Sequence, residues 1–316
     1  MSTSQVLDRT FHIYRNHFVL LAGIGALVPA AGLVLQLTFI HLGLRTDTPG
    51  QPPEAVLVLA LGYFCAWALI YLFASALASG ATVYGVSKLH LGESVTIGQA
   101  YRQVFSRFWR VLGIILLVSL MVFGAVIAAE FIAILLVVLM IGGTAIFSGG
   151  GGVFAGAGAL MAILWAMAIL LGGVIVAAFL YCKFSLAVPA CMLEKMPVGT
   201  ALTRSWRLTK NSFWRIFLVF LLTAIINLVL GLVLSSPGQL YTFVVQKRAI
   251  VGVVLQEIGG FFAGVIASPI YTIAIALIYY DQRVRKEAFD LQVMMEALGR
   301  QPQPSVATYS VPPTTG

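Results

Sequence analysis

The chain has 316 residues, of which 60% are hydrophobic and 9% charged, with a formal net charge of +8. A soluble domain typically carries about 25% charged residues, so this composition excludes a water-soluble globular enzyme and specifies a polytopic membrane protein, in line with a mean hydropathy of +0.99. The basic residues hug the ends of apolar blocks, where they meet anionic head groups at about 1 kcal/mol each, and no nucleic-acid motif accompanies them; nucleic acid is excluded as a partner.

A transmembrane helix needs about 20 apolar residues. The first block that supplies them, 18–40, follows a basic amphipathic stretch from Val6 to Arg15. It is too long for the apolar region of a cleavable signal and reads as a retained anchor, kinked at Pro29. An outer loop, 41–54, leads to the second span, 55–86, whose Ala76/Gly80 and Ser75/Ser79 pairs are small-residue packing faces. A second basic stretch, 95–110, precedes the third span, 111–141. In it Val95, Tyr101, Val104, Phe105 and Phe108 are expected to face the acyl boundary, as on a helix lying in the membrane plane.

Glu130 stands out in the third span as an intramembrane polar candidate. It lies about 20 residues past Val111, roughly 30 Å along a helix, so it reads as interfacial, with an ion or proton role as the alternative. The outer loop 142–158 is glycine-rich. After the fourth span, 159–182, comes a third basic stretch. It leads through Asn211 and Ser212, candidate helix caps, into the fifth span, 213–234. Asn227 there is the second intramembrane polar candidate, expected to bond between helices. Ser235-Ser236-Pro237-Gly238 reads as a turn. The sixth span, 251–280, carries Gly260, Gly264 and Ser268 on one face and a kink at Pro269. A helix follows to 298, with i,i+4 ion pairs Asp281–Arg285, Arg283–Glu287 and Lys286–Asp290 and an apolar stripe through Val284, Ala288, Leu291, Met295 and Leu298. Residues 299–316 read as a disordered tail.

These readings give an all-α polytopic membrane helix bundle of about six spans. It is one integral membrane domain over 1–298, with a candidate threefold repeat of amphipathic helix plus two spans. Sixteen of the nineteen Lys and Arg fall on one side, which places both termini in the cytoplasm. Trp109, Trp206 and Trp214 suit the interface belt.

None of the four histidines has metal-ligand spacing. The run Gly149–Gly152 lacks the Lys and Ser/Thr of a phosphate-binding loop, and no nucleophile elbow appears. No catalytic residue, metal or cofactor is implied. The residues placed at the cytoplasmic face toward lipid head groups or a protein partner are Arg204, Trp206, Arg207, Trp214, Arg215, Tyr280, Arg283, Arg285 and Lys286.

The segment Tyr279-Tyr280-Asp281-Gln282-Arg283-Val284-Arg285-Lys286-Glu287-Ala288-Phe289-Asp290-Leu291 closely resembles the C-terminal signature of bacterial proteins carrying the glycerophosphoryl diester phosphodiesterase membrane domain. The stretch Ala201-Leu202-Thr203-Arg204-Ser205-Trp206-Arg207-Leu208-Thr209, with Phe213-Trp214-Arg215 after it and Glu194 before it, resembles that family's second signature. In some relatives the membrane domain is fused to a soluble phosphodiesterase barrel. Here the resemblance implies the membrane domain alone, with no catalytic residues to carry over. The leading functional expectation is a non-enzymatic integral membrane protein acting as a scaffold or partner subunit among membrane lipids. The alternative is a small transporter or permease of lipid-like or apolar cargo.

Overall fold

In the computed structural model, which describes residues 3–46, 53–90, 92–147, 153–210, 212–245 and 249–299, every regular element is a helix. A short α1 (Thr3–Asn16) precedes α2 (Phe18–Gly25), α3 (Leu27–Thr46) and α4 (Pro53–His90). A short α5 (Ile97–Phe105) precedes α6 (Phe108–Phe147) and α7 (Val153–Phe184). The short α8 (Ala187–Glu194) and α9 (Val198–Thr209) precede α10 (Phe213–Val244) and α11 (Ala249–Gly299). Five helices are long and apolar enough to cross a bilayer. The pair α2 and α3, bent by 43° at one break, makes a sixth span if counted as one.

The short helices share one way of packing. Val6 and Thr10 in α1, Ala100 and Val104 in α5, and Ala201 and Ser205 in α9 are i,i+4 pairs with at most 1% exposure. Such pairs project from one helix face. The face lies on the long helix that precedes it: α5 on α4, α9 on α7 and, closing the ring, α1 on α11. A Cβ added at Gly80 of α4 would meet Val104 at 3.0 Å. The apolar stripe of α5 therefore covers protein at Val104, and Tyr101 is half-buried, whereas Phe105 and Trp109 stay exposed. This corrects the expectation that the whole stripe faces lipid. The start of α5 is a capping box: Thr96 Oγ1 accepts from the Gln99 N–H and the Gln99 side chain accepts from the Thr96 N–H. The start of α10 is not capped by Ser212, whose hydroxyl donates instead to Leu208 O at 3.3 Å; Asn211 lies outside the described residues.

The centre is the middle of α11. Ala267, Ile270 and every residue from Ile273 to Tyr279 are buried, as expected of a helix apolar on all sides. One other expectation needs correction. The Ser235–Gly238 turn is absent, because α10 runs through it to Val244 with Pro237 inside. A proline cannot donate to the carbonyl four residues back. That carbonyl, Val233 O, accepts from Ser236 Oγ at 2.7 Å. Gly238 then lets α11 approach so closely that a Cβ there would lie 2.4 Å from Gln256 N. Gly299, where a disordered tail was expected to begin, is the last residue of α11; the rest of that expected tail, 300–316, like the glycine run 149–152, lies outside the described residues.

The broken span has a local cause. Pro29 cannot serve Gly25 O, and α2 ends there. Gly25 O accepts from Ser268 Oγ at 3.3 Å and Ile24 O from the Tyr101 hydroxyl at 2.8 Å. Neighbouring side chains thus satisfy carbonyls at the break, the condition for tolerating one at membrane depth. Tyr14 likewise donates to Ile266 O of α11 at 2.8 Å. Burial pushes the Tyr14 and Tyr101 phenols up to about 12, so both remain donors across the physiological range.

Candidate functional site

At the basic end of the bundle two carboxylates gather four arginines. Glu194 closes α8, where Lys195 at φ 59° stops the helix in the left-handed conformation. Its carboxylate is 10% exposed, accepts from the Tyr279 hydroxyl, and lies 3.2 Å from Arg204 Nη2 and 3.9 Å from Arg283 Nε. Asp281, 8% exposed, meets Arg215 Nη1 at 3.0 Å and Arg285 Nε at 3.2 Å. Arg107 and Arg110, at the foot of α6, donate to the Met192 and Lys195 carbonyls. The two signature stretches, far apart in sequence, therefore meet in one clamp joining α8, α9, α10 and α11.

The remaining face residues are distributed around this clamp. Trp206 packs on Phe179 and Phe184 and covers the Lys183 ammonium, 4.9 Å from its ring, with Phe179 at 5.4 Å and Phe213 at 5.9 Å. The Lys183 carbonyl accepts from Ser205 and Thr209, which anchors α9 to α7. Arg207 and Trp214 are exposed, and the Tyr280 ring stacks on His90 at 5.4 Å. The Lys286 side chain, with Arg283–Glu287, Lys286–Asp290 and the apolar stripe beyond Val284, lies outside the described residues. Chemically the clamp holds its acids in ion pairs; it is built to fix helices. Among the described residues, no three His, Cys, Asp or Glu gather as a metal site.

Within the bilayer region the polar residues separate. Glu130 is exposed on α6, next to Ala129, which packs on Gly173 so tightly that a Cβ at Gly173 would lie 2.4 Å away. Asn227 donates to Thr223 O of its own helix at 3.0 Å, not between helices as expected. Sequence reasoning passed over Glu257, although it too falls inside an apolar block. It lies within electrostatic reach of Tyr63, whose hydroxyl donates to Gln36 Oε1 at 2.6 Å.

The larger omission is a pair of adjoining cavities of about 310 and 340 Å³ in the middle of the bundle. They share a wall of Tyr71, Ser75, Ser79, Tyr181, Tyr271 and Thr272. One extends between α4 and α6; the other reaches Gly25 and Val28 at the helix break, Pro269, and Asn227. No Asp, Glu, Lys, Arg or His lines either. The Tyr181 and Tyr271 rings stack at 5.6 Å. The Tyr271 hydroxyl is shut off from solvent with Tyr181 and Ser185 beside it, yet none meets it at hydrogen-bond geometry. The sequence signal was the i,i+4 pair Ser75/Ser79, which reads as packing until the tyrosines of α4, α7 and α11 converge on it.

Residues 157–307 match the family model described as the membrane domain of glycerophosphoryl diester phosphodiesterase. The match spans both signature stretches and the whole carboxylate–arginine clamp, and bears out the resemblance seen in the sequence. Comparison with curated proteins and with solved structures finds no match.

Proposed function

We propose that this integral membrane protein is a non-enzymatic carrier or permease that takes an amphiphilic, lipid-like molecule into the centre of its helix bundle. The observation that carries this reading is the hydroxyl-walled pair of cavities beside the α2–α3 break and Pro269. Buried polar groups cost free energy unless they find partners, and interrupted helices at mid-bundle are where membrane carriers place cargo. The scaffold reading draws less support. Arg204, Arg215, Arg283 and Arg285 are engaged with Glu194 and Asp281, which leaves less charge on that face for a partner. The same reading sets the basic face in the cytoplasm of a bacterial inner membrane, with both termini there.

Native mass spectrometry of the full chain, extracted in its own lipid, tests the proposal. The expected result is a bound amphiphile that is lost on Ser79→Leu, which fills the shared wall. A co-purifying protein at fixed stoichiometry, with no lipid sensitive to that substitution, would overturn the carrier reading in favour of a partner subunit.

A further inference from the structure

The donors and acceptors of the cavity wall specify a head group. Four of the lining hydroxyls spend their protons on their own helices: Ser75 on Leu72 O at 3.0 Å, Ser79 on Ser75 O at 2.5 Å, Thr82 on Ala78 O at 2.8 Å, Thr223 on Val219 O at 2.8 Å. A hydroxyl used in this way turns lone pairs toward the cavity and acts as an acceptor. Tyr271 supplies the opposite function, a buried O–H that no protein acceptor meets at hydrogen-bond geometry. A ligand group that both donates to the Ser and Thr oxygens and accepts from Tyr271 completes the set, and an alcohol does both.

A phosphate carries negative charge, and no Lys, Arg or His lines the cavities to neutralise it. An ammonium would be desolvated with no carboxylate beside it, a cost of several kcal/mol. Size and access agree. Ligand pockets run from about 300 to 1,000 Å³; cavities of about 310 and 340 Å³ accept a head group and its first carbons, not two acyl chains. The first cavity reaches the lipid-facing surface between α4 and α6 at Tyr71 and Phe123, which are 44% and 57% exposed, so chains can trail into the bilayer.

We infer that the cavities bind an uncharged, hydroxyl-headed lipid of the diacylglycerol class, admitted sideways from the bilayer between Tyr71 and Phe123. This rests on the carrier reading above and names its cargo class. The test uses the full chain in lipid nanodiscs doped equally with diacylglycerol, phosphatidic acid and phosphatidylethanolamine of identical chains, with retained lipid counted by native mass spectrometry. Diacylglycerol is expected to be retained over both phospholipids. Tyr271→Phe, which removes only the hydroxyl, is expected to lower that retention about fivefold, the worth of roughly one hydrogen bond. Glu130→Gln, outside the cavities, is expected to leave it unchanged.

Phosphatidic acid or phosphatidylethanolamine retained equally, and lost on Tyr271→Phe, would overturn the head-group class while leaving the carrier site standing. Displacement by free glycerol would overturn the lipid source in favour of a soluble polyol. Retention of every lipid untouched by both Tyr271→Phe and Ser79→Leu would overturn the inference and the carrier reading together.

Discussion

The Pro269 ring lies against Gly25, at the helix break, so closely that a Cβ there would come within 2.7 Å of Pro269 Cγ. The relation is reciprocal: a Cβ on Gly264 would come within 2.8 Å of Pro29 Cγ. Each proline ring thus seats on a glycine across the contact and fixes the break against α11. Gly25→Ala or Gly264→Ala must push a rigid ring aside, and overpacking of this kind costs about 1–3 kcal/mol. Gly124→Ala, with nothing within 4 Å, is expected to be neutral or slightly stabilising. Thermal unfolding in detergent ranks the three. A Gly25→Ala protein as stable as Gly124→Ala would show that the rings are not tightly seated.

The hydrogen bond from Ser268 to Gly25 O replaces the donor that Pro29 lacks. Ser268→Ala should therefore cost about 1 kcal/mol. In a Pro29→Ala background, where residue 29 regains its N–H, the same substitution should cost measurably less. The two changes are coupled through one carbonyl, and a double-mutant cycle on unfolding free energy reads the difference, expected at roughly 0.5–1 kcal/mol. Strict additivity would remove the replacement argument.

The spans and basic helices were legible because charge-free blocks about 20 residues long have few alternatives to lipid. The clamp residues were legible as a resemblance, and Asp281–Arg285 also as i,i+4 spacing; the meeting of Arg204 and Tyr279 on Glu194 was not, because 10 residues separate Glu194 from Arg204 and 85 separate it from Tyr279. An amphipathic stripe has the same period whether it covers lipid or protein, so the burial of Val104 on Gly80 could not be read. Ser235–Gly238 carries turn chemistry, but a serine hydroxyl and a glycine crossing let helix packing override it. The cavity hydroxyls come from different helices, and no local spacing joins them.

The clamp is a stability device with an asymmetric response. Glu194→Gln keeps the shape but drops the charge that holds Arg204 and accepts from Tyr279. The expected cost is about 2 kcal/mol, typical of hydrogen bonds to a charged group. Arg283, 40% exposed and 3.9 Å away, is screened by solvent, so Arg283→Gln should cost under about 0.5 kcal/mol. Unfolding in urea or by heat, with both variants in one detergent, makes the comparison. Equal effects would mean that burial does not set the strength of these pairs.

Alkaline titration separates the tyrosines that brace the bundle. Burial raises the Tyr14 and Tyr101 phenols from 10.0 to about 12. Below pH 10 both are neutral whether the chain is folded or unfolded, and their contribution to stability is fully present. Between pH 10 and about 12 the unfolded chain ionises first, so that contribution declines as pH rises. Tyr14→Phe and Tyr101→Phe should each lose about 1 kcal/mol at neutral pH, for the bonds to Ile266 O and Ile24 O. Phenylalanine does not ionise, so the gap to the parent protein should narrow above pH 10. Melting temperatures from pH 7 to 11 test it: an alkaline fall just as steep in the double variant as in the parent would place the titrating groups elsewhere.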